Sequence, residues 1–308
     1  MEYTRLGHSG LTVSKICLGT MMFGGRTSAA VASKMIKSAR DAGVNFIDTA
    51  DIYENGESER VVGKIIRKDR DDWVLATKVG YSMGKGKNRR GIGRKWIMQA
   101  CDESLGRLGS DYIDLYYLHR DDADTPLEEP IRAMADLISQ GKVRHWGVSN
   151  ISGWRIAQII GLCDQMGMPR PSACQPYYNA LNRMPEVDIL PACKAYEIGV
   201  VPFSPVARGV LTGKYDPKGA PDKGSRAGRN DKRMMDTEWR KESLVMAQKI
   251  KKHAESKGMK SVHFAFNWVL NNGLISATIA GPRTLGQWKD YLGSVNHAFS
   301  SDDEALID

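Results

Sequence analysis

Cysteine is scarce in this chain and falls into no pattern. Cys17, Cys101, Cys163, Cys174 and Cys193 are odd in number, and no two stand at the C-x-x-C spacing of a zinc or redox site. The six histidines include no H-E-x-x-H pair. No metal is expected, and the thiols are expected to be reduced and packed. No apolar run approaches the roughly 20 residues that cross a bilayer. The opening residues, Met1-Glu2-Tyr3-Thr4-Arg5-Leu6, lack a basic-then-apolar secretory pattern, so the cytoplasm is the expected compartment. No linker rich in Pro, Gly or Ser divides the 308 residues, and one domain over 1–308 is expected. G-x-G-x-x-G is also missing after the first apparent strand, which weighs against a doubly wound dinucleotide fold.

Charge is present in excess, with a formal net of +8. The basic residues gather in two stretches, Lys85 to Lys95 and Lys214 to Arg233. Both follow expected strands, so both are read as loops over one rim. No nucleic-acid module accompanies them, and an anionic small molecule is the better partner.

What fills the chain is an alternation of short β-prone runs and helical periods. The runs are Lys15–Gly19, Asn45–Asp48, Trp73–Lys78, Tyr112–His119, Val143–Val148, Ser172–Gln175, Gly199–Phe203 and Leu274–Ala280. Helices are expected over Ala29–Ala42, Val61–Arg67, Trp96–Leu108, Pro126–Gln140, Ile156–Met166, Val187–Glu197, Lys241–Ser256, Val262–Asn271 and Thr284–Val295. Eight such units predict an α/β chain folded as a (β/α)8 TIM barrel. A short hairpin over Tyr3–Val13 precedes it. Ser204–Arg233 is expected to be a long irregular segment after the seventh strand, and loops of that length are usually functional.

Asp48, Lys78 and His119 end three successive strands, with Tyr53 just beyond the first of them. Each has an ordinary reading: an acid there caps a helix, and a lone Lys or His is solvated. Recurrence at successive strand ends points to chemistry at the C-terminal rim of a barrel.

The chain resembles the aldo-keto reductases from end to end. The matching blocks are Phe46-Ile47-Asp48-Thr49-Ala50 with Tyr53, Gly56 to Glu59, Ala76-Thr77-Lys78, and Asp114-Leu115-Tyr116-Tyr117-Leu118-His119. Gly147-Val148-Ser149-Asn150, Gln175-Pro176-Tyr177-Tyr178-Asn179, Phe203-Ser204-Pro205, Gly209 to Tyr215 and Gly281 to Gln287 complete the set. The match is closest to the branch holding bacterial sugar, aryl and general carbonyl reductases and the potassium-channel β subunits.

The resemblance implies an NADPH/NADP+-dependent enzyme acting on a small carbonyl or alcohol, with NADH a weaker cofactor. It assigns proton donation to Tyr53, supported by Lys78, Asp48 and His119. A tyrosine with an ordinary pKa of about 10 is a weak acid, and a neighbouring ammonium is expected to lower it. The implied cofactor contacts are Gly19, Thr20, Met21, Asp48, Ser149, Asn150, Gln175, Phe203, Ser204, Val206, Gly209, Leu211, Lys214, Arg226, Gly281, Arg283 and Gln287. Tyr291 stands where many relatives have Asn near the adenine. Met22, Phe23, Tyr53, Tyr81, His119 and Arg120 are the expected substrate wall. Two other functions stay open. One is an NADPH-holding regulatory subunit like the channel β subunits, which generally carry Asn at the His119 position. The other is a lyase using Lys78 as a Schiff base. The sequence is compatible with an oligomer and identifies no substrate.

Overall fold

The computed structural model describes residues 1–308. A hairpin of β1 (Tyr3–Arg5) and β2 (Thr12–Ser14) comes first. The barrel strands follow: β3 (Ile16–Gly19), β4 (Phe46–Asp48), β5 (Val74–Val79), β6 (Ile113–Leu118), β7 (Val143–Ser149), β8 (Ala173–Gln175), β9 (Gly199–Val200) and β10 (Thr278–Ala280). All eight pair in parallel, β3 through β9 in chain order, with β10 beside β3. The remaining seam closes where Val200 bridges Ile275 in parallel and Ile279 donates its N–H to the Pro202 carbonyl at 3.0 Å. The result is the (β/α)8 barrel.

Helices alternate with the strands: α1 (Ala29–Asp41), α2 (Glu57–Ile66), α3 (Arg94–Leu108), α4 (Glu128–Ser139), α5 (Gly153–Met166) and α6 (Ile189–Ala195). The segment after β9 carries α7 (Lys232–Thr237), and α8 (Lys241–Ser256), α9 (Ser261–Asn271), α10 (Leu285–Ser294) and α11 (Ser301–Ala305) follow.

The period of two along each strand sorts side chains between two cores. Cys17, Phe46, Ala76, Leu115, Tyr117, Ala173, Val201 and Ile279 fill the barrel, with Leu6 and Val13 of the hairpin plugging its N-terminal end. Leu18, Ile47, Leu75, Tyr116, Val148 and Cys174 pack outward against the helices in the larger core. All five cysteines are buried and free. Gly7 shows why the hairpin seats so closely: a Cβ there would lie 2.4 Å from the Gly199 backbone nitrogen, and its φ is +57°.

Three expectations about elements are corrected. The seventh strand stops at Val200 because Pro202 has no N–H for the ladder; pairing resumes as a single bridge between Tyr177 and Phe203. The eighth begins at Thr278, since the Leu274 N–H turns onto the Asn272 side chain at 3.0 Å. The segment from Ser204 is not bare loop. It contains 3-10 turns at Ala207–Thr212 and Ala227–Arg229 besides α7, and Tyr215, Ala227 and Met234 anchor it in the core.

Candidate functional site

Strand register decides which strand-end residues meet. Gly19 pairs with Asp48 and Asp48 with Ala76; Lys78 pairs with Tyr117, Tyr117 with Gly147, and Ser149 with Gln175. Asp48 stands two residues beyond the inward Phe46, Lys78 two beyond Ala76, and Gln175 two beyond Ala173. They share the barrel-interior parity and emerge together at the C-terminal rim.

The contacts there are short. Lys78 Nζ donates to Asp48 Oδ1 at 2.5 Å and to the Thr49 carbonyl at 2.6 Å, and it lies 3.3 Å from the Tyr53 hydroxyl. The other Asp48 oxygen accepts from Gln175 Nε2 at 2.8 Å. Tyr53 begins a tight turn in which Glu54, Asn55 and Gly56 all have positive φ, and this turn swings the phenol back over the strand ends. The His119 ring stands edge-to-face to Tyr53, with centroids 5.8 Å apart, and to Tyr81 at 4.8 Å. Asn150 donates to the His119 carbonyl and to Ser149 Oγ, while Ser149 donates to the Gln175 carbonyl.

Burial governs the proton affinities. It pushes the Tyr53 phenol up, and the Lys78 ammonium offsets only part of that rise. The expectation that Lys78 leaves a net depressed tyrosine is therefore corrected: loss of hydration outweighs the neighbouring charge. Burial opposes the Lys78 ammonium too, but Asp48, with Tyr53, holds its pKa above the ordinary value. A charged ammonium is no nucleophile, so the pairing with Asp48 weighs against Schiff-base chemistry at Lys78. Burial, then Lys78 and Arg233, hold His119 well below the usual imidazole range, so it is neutral at physiological pH. Asp51, two residues before Tyr53, is wholly buried with neither carboxylate oxygen partnered. Burial and then Glu59 push it up to about 8.

A cavity of about 1230 Å³ opens from these groups. Gly19, Thr20, Met21, Met22, Asp48, Tyr53, Tyr81, His119, Ser149, Asn150, Gln175 and Phe203 line it, together with Ser204, Val206, Gly209, Lys214, Arg226, Gly281, Arg283, Gln287 and Tyr291. Lys78 is fully enclosed behind it.

Three residues lie elsewhere than expected. Phe23 and Leu211 are wholly buried in the large core and their side chains do not face the cavity. Arg120 is exposed outside the lining; its guanidinium stacks 5.6 Å from the Tyr81 ring centroid, and its Nε donates to the Asp121 carbonyl. The sequence reading missed Arg26, Arg208, Arg233, Lys251 and Lys260, which all line the cavity. The basic run ending at Arg233 was its one available signal; Lys251 and Lys260 come from α8 and the start of α9, and no strand-end pattern marks them.

The lining suits a long anionic ligand. Arg26, Lys214 and Arg283 face the cavity without an ion-pair partner, whereas Asp290, the nearest acid to Arg283 in sequence, is taken by Lys260 at 2.6 Å. Arg226 is pressed down by burial, with Arg208 and Arg26 adding like-charge repulsion. Beside Arg283, Gly281 has open space where a Cβ would stand.

Barrel and rim together define a (β/α)8 protein with an ion-paired cluster of ionisable groups at its C-terminal rim. The profile of the aldo/keto reductase family matches residues 15–308, and the chain belongs to that family. Its members typically bind nicotinamide cofactors and small-molecule substrates. The chain is 35% identical over 301 residues to a probable voltage-gated potassium channel subunit beta of Arabidopsis thaliana, covering 96% of this chain and 92% of the relative. It is 38% identical over 286 residues to a putative voltage-gated potassium channel subunit beta of Schizosaccharomyces pombe, covering 90% and 83%. No helix is long and apolar enough to cross a membrane.

Proposed function

We propose that the protein reduces an aldehyde or ketone to the alcohol, or catalyses the reverse, with NADPH. The observation that carries this reading is the Asp48–Lys78–Tyr53 chain, closed at 2.5 Å and 3.3 Å beside a neutral His119. The bound cofactor supplies the hydride. Tyr53 delivers a proton to the carbonyl oxygen; its raised pKa keeps that proton on until the oxygen gains charge. Lys78 stabilises the phenolate that remains, and Asp48 fixes Lys78. His119 orients the carbonyl. Ser149, Asn150 and Gln175 hold the carboxamide, and Phe203 backs the ring. The pyrophosphate belongs along Ser204 to Lys214 with Arg226, and the adenosine phosphate beside Gly281, Arg283 and Gln287. A single domain in the cytoplasm is the setting this reading assumes.

The test is NADPH oxidation across aryl aldehydes, sugars and dicarbonyls, with no partner protein present. Turnover at ordinary enzyme rates supports the reductase. A second reading follows from the names of the relatives: a subunit that holds NADPH and regulates a channel. Tight NADPH binding without turnover of any carbonyl would favour it.

Preference for NADPH over NADH is expected to rest on Arg283, which precedes α10 and has no acid partner. The Arg283 N–H is held by Gln287 Oε1 at 2.8 Å, so the guanidinium fork is the group free to meet a 2′-phosphate. A charge-assisted hydrogen bond is worth roughly 10- to 150-fold in affinity. Arg283→Ala is expected to weaken NADPH by about that factor and leave NADH nearly unchanged. Equal losses in fluorescence titrations would assign Arg283 to loop support.

Residues 215–233 are expected to slow in hydrogen exchange when NADPH binds. Their anchors at Tyr215, Ala227 and Met234 are separated by charged, exposed stretches. Identical protection with and without NADPH would show that the segment does not close on the cofactor.

A further inference from the structure

Arg120 was the guanidinium expected on the substrate wall, and it stacks on Tyr81 outside the cavity lining. Arg233 from α7 lines the cavity instead, with Met22, Tyr53, Tyr81, His119 and Thr237. The end of α7 lies near Phe203 of the cavity wall: Glu238, directly after the helix, accepts from the Tyr177 hydroxyl, and the Tyr177 and Phe203 ring centroids are 5.5 Å apart. The Arg233 charge is also felt at the Tyr53 phenol and the His119 imidazole. Arg208 and Arg226 are committed to Glu238 and Asp231, whereas Arg233 has no ion-pair partner. The helix that carries it is pinned on both sides. Asp231 accepts from the Met234 N–H at 3.1 Å, Met234 is fully buried, and Glu238 is clasped by Tyr177 and by Arg208 at 3.0 Å.

Arg233 is an exposed guanidinium on the cavity wall, free to bind an anion that enters. The cofactor phosphates are assigned above to other residues, Ser204 to Lys214 with Arg226, and Gly281 to Gln287. We propose that Arg233 is a specificity residue for the substrate: the carbonyl compound carries a carboxylate or phosphate, which Arg233 binds while the carbonyl lies against Tyr53 and His119. This rests on the carbonyl-reductase reading above. Arg suits either anion because its fork matches both in bidentate geometry.

The experiment compares matched pairs: 4-carboxybenzaldehyde with methyl 4-formylbenzoate, and glycolaldehyde phosphate with glycolaldehyde. Wild-type protein is expected to favour the anionic member of at least one pair, and the favoured pair tells carboxylate from phosphate. Arg233→Met is expected to raise KM for that anion about tenfold, the low end for a charge-assisted contact because Arg233 is exposed. The neutral members should lose much less than the anionic ones, NADPH affinity should not change, and Arg233→Lys should restore part of the loss. Equal kcat/KM for anionic and neutral members in wild type overturns the inference, as does equal loss on both in Arg233→Met. Lost NADPH affinity in Arg233→Met also overturns it, by assigning the residue to the cofactor. Wild type that turns over none of the four, or the neutral members alone, overturns this inference; the reductase reading falls only if the wider set of aryl aldehydes, sugars and dicarbonyls is also left untouched.

Discussion

Tyr53→Phe is expected to cut carbonyl turnover by about 10²–10⁴-fold or more, the range attributed to general acid catalysis, with NADPH affinity close to wild type. The substitution removes one oxygen and keeps the ring, so the edge-to-face contact with His119 survives. The lost hydroxyl has a single side-chain partner, Lys78, which retains Asp48 and the Thr49 carbonyl. Fold and cofactor cavity therefore stay intact while the proton donor disappears. The acid form is required for reduction, and burial holds the phenol above its ordinary pKa. Wild-type reduction should accordingly persist to alkaline pH and fall only above the usual tyrosine range. Single-turnover measurement with deuterated NADPH establishes that the chemical step is observed. Unchanged single-turnover rates in Tyr53→Phe would assign the proton to another group.

Lys78→Met is expected to abolish reduction, and Asp48→Asn to impair it less, because Lys78 keeps its bond to the Thr49 carbonyl. The two variants should also separate in stability. Removing one member of a buried ion pair costs about 3–5 kcal/mol, since the other charge is left in a low dielectric. In Lys78→Met the stranded group is Asp48, 2% exposed and still bonded by Gln175. In Asp48→Asn it is the Lys78 ammonium, which Asp48 holds above its ordinary pKa in the intact protein. Without Asp48, burial should draw that pKa below the unfolded value, so the folded protein binds fewer protons than the unfolded one and the stability of Asp48→Asn should rise with pH across that window. Denaturant titrations at two pH values check the sign, and wild-type turnover in Lys78→Met would remove Lys78 from the chemistry altogether.

The order of the barrel was legible because each unit repeats the same local physics: a short β-prone run, a loop, an amphipathic helix stopped by glycine. Gly109, for example, ends α3 in the left-handed conformation at φ +61°. The meeting of Asp48, Lys78 and His119 was legible for a related reason. All three are at strand ends, where a period of two and a parallel register leave little freedom of direction.

Away from the strands that constraint lapses, and only the tertiary structure decided. Phe23 turns into the core, Arg120 stacks on Tyr81, and Arg233 reaches the cavity from a helix 155 positions beyond Lys78 (233 − 78). The bond from Gln175 to Asp48 spans 127 positions and exists because the barrel closes. The net proton affinity of Tyr53 likewise depends on how completely water is excluded around it, a property of packed volume that no run of neighbouring residues encodes. By itself the chain determines which side chains emerge from the ends of its strands. What its loops present, and how dry the cavity beneath them is, depends on contacts between residues far apart in sequence, because a loop has no repeating geometry to direct its side chains.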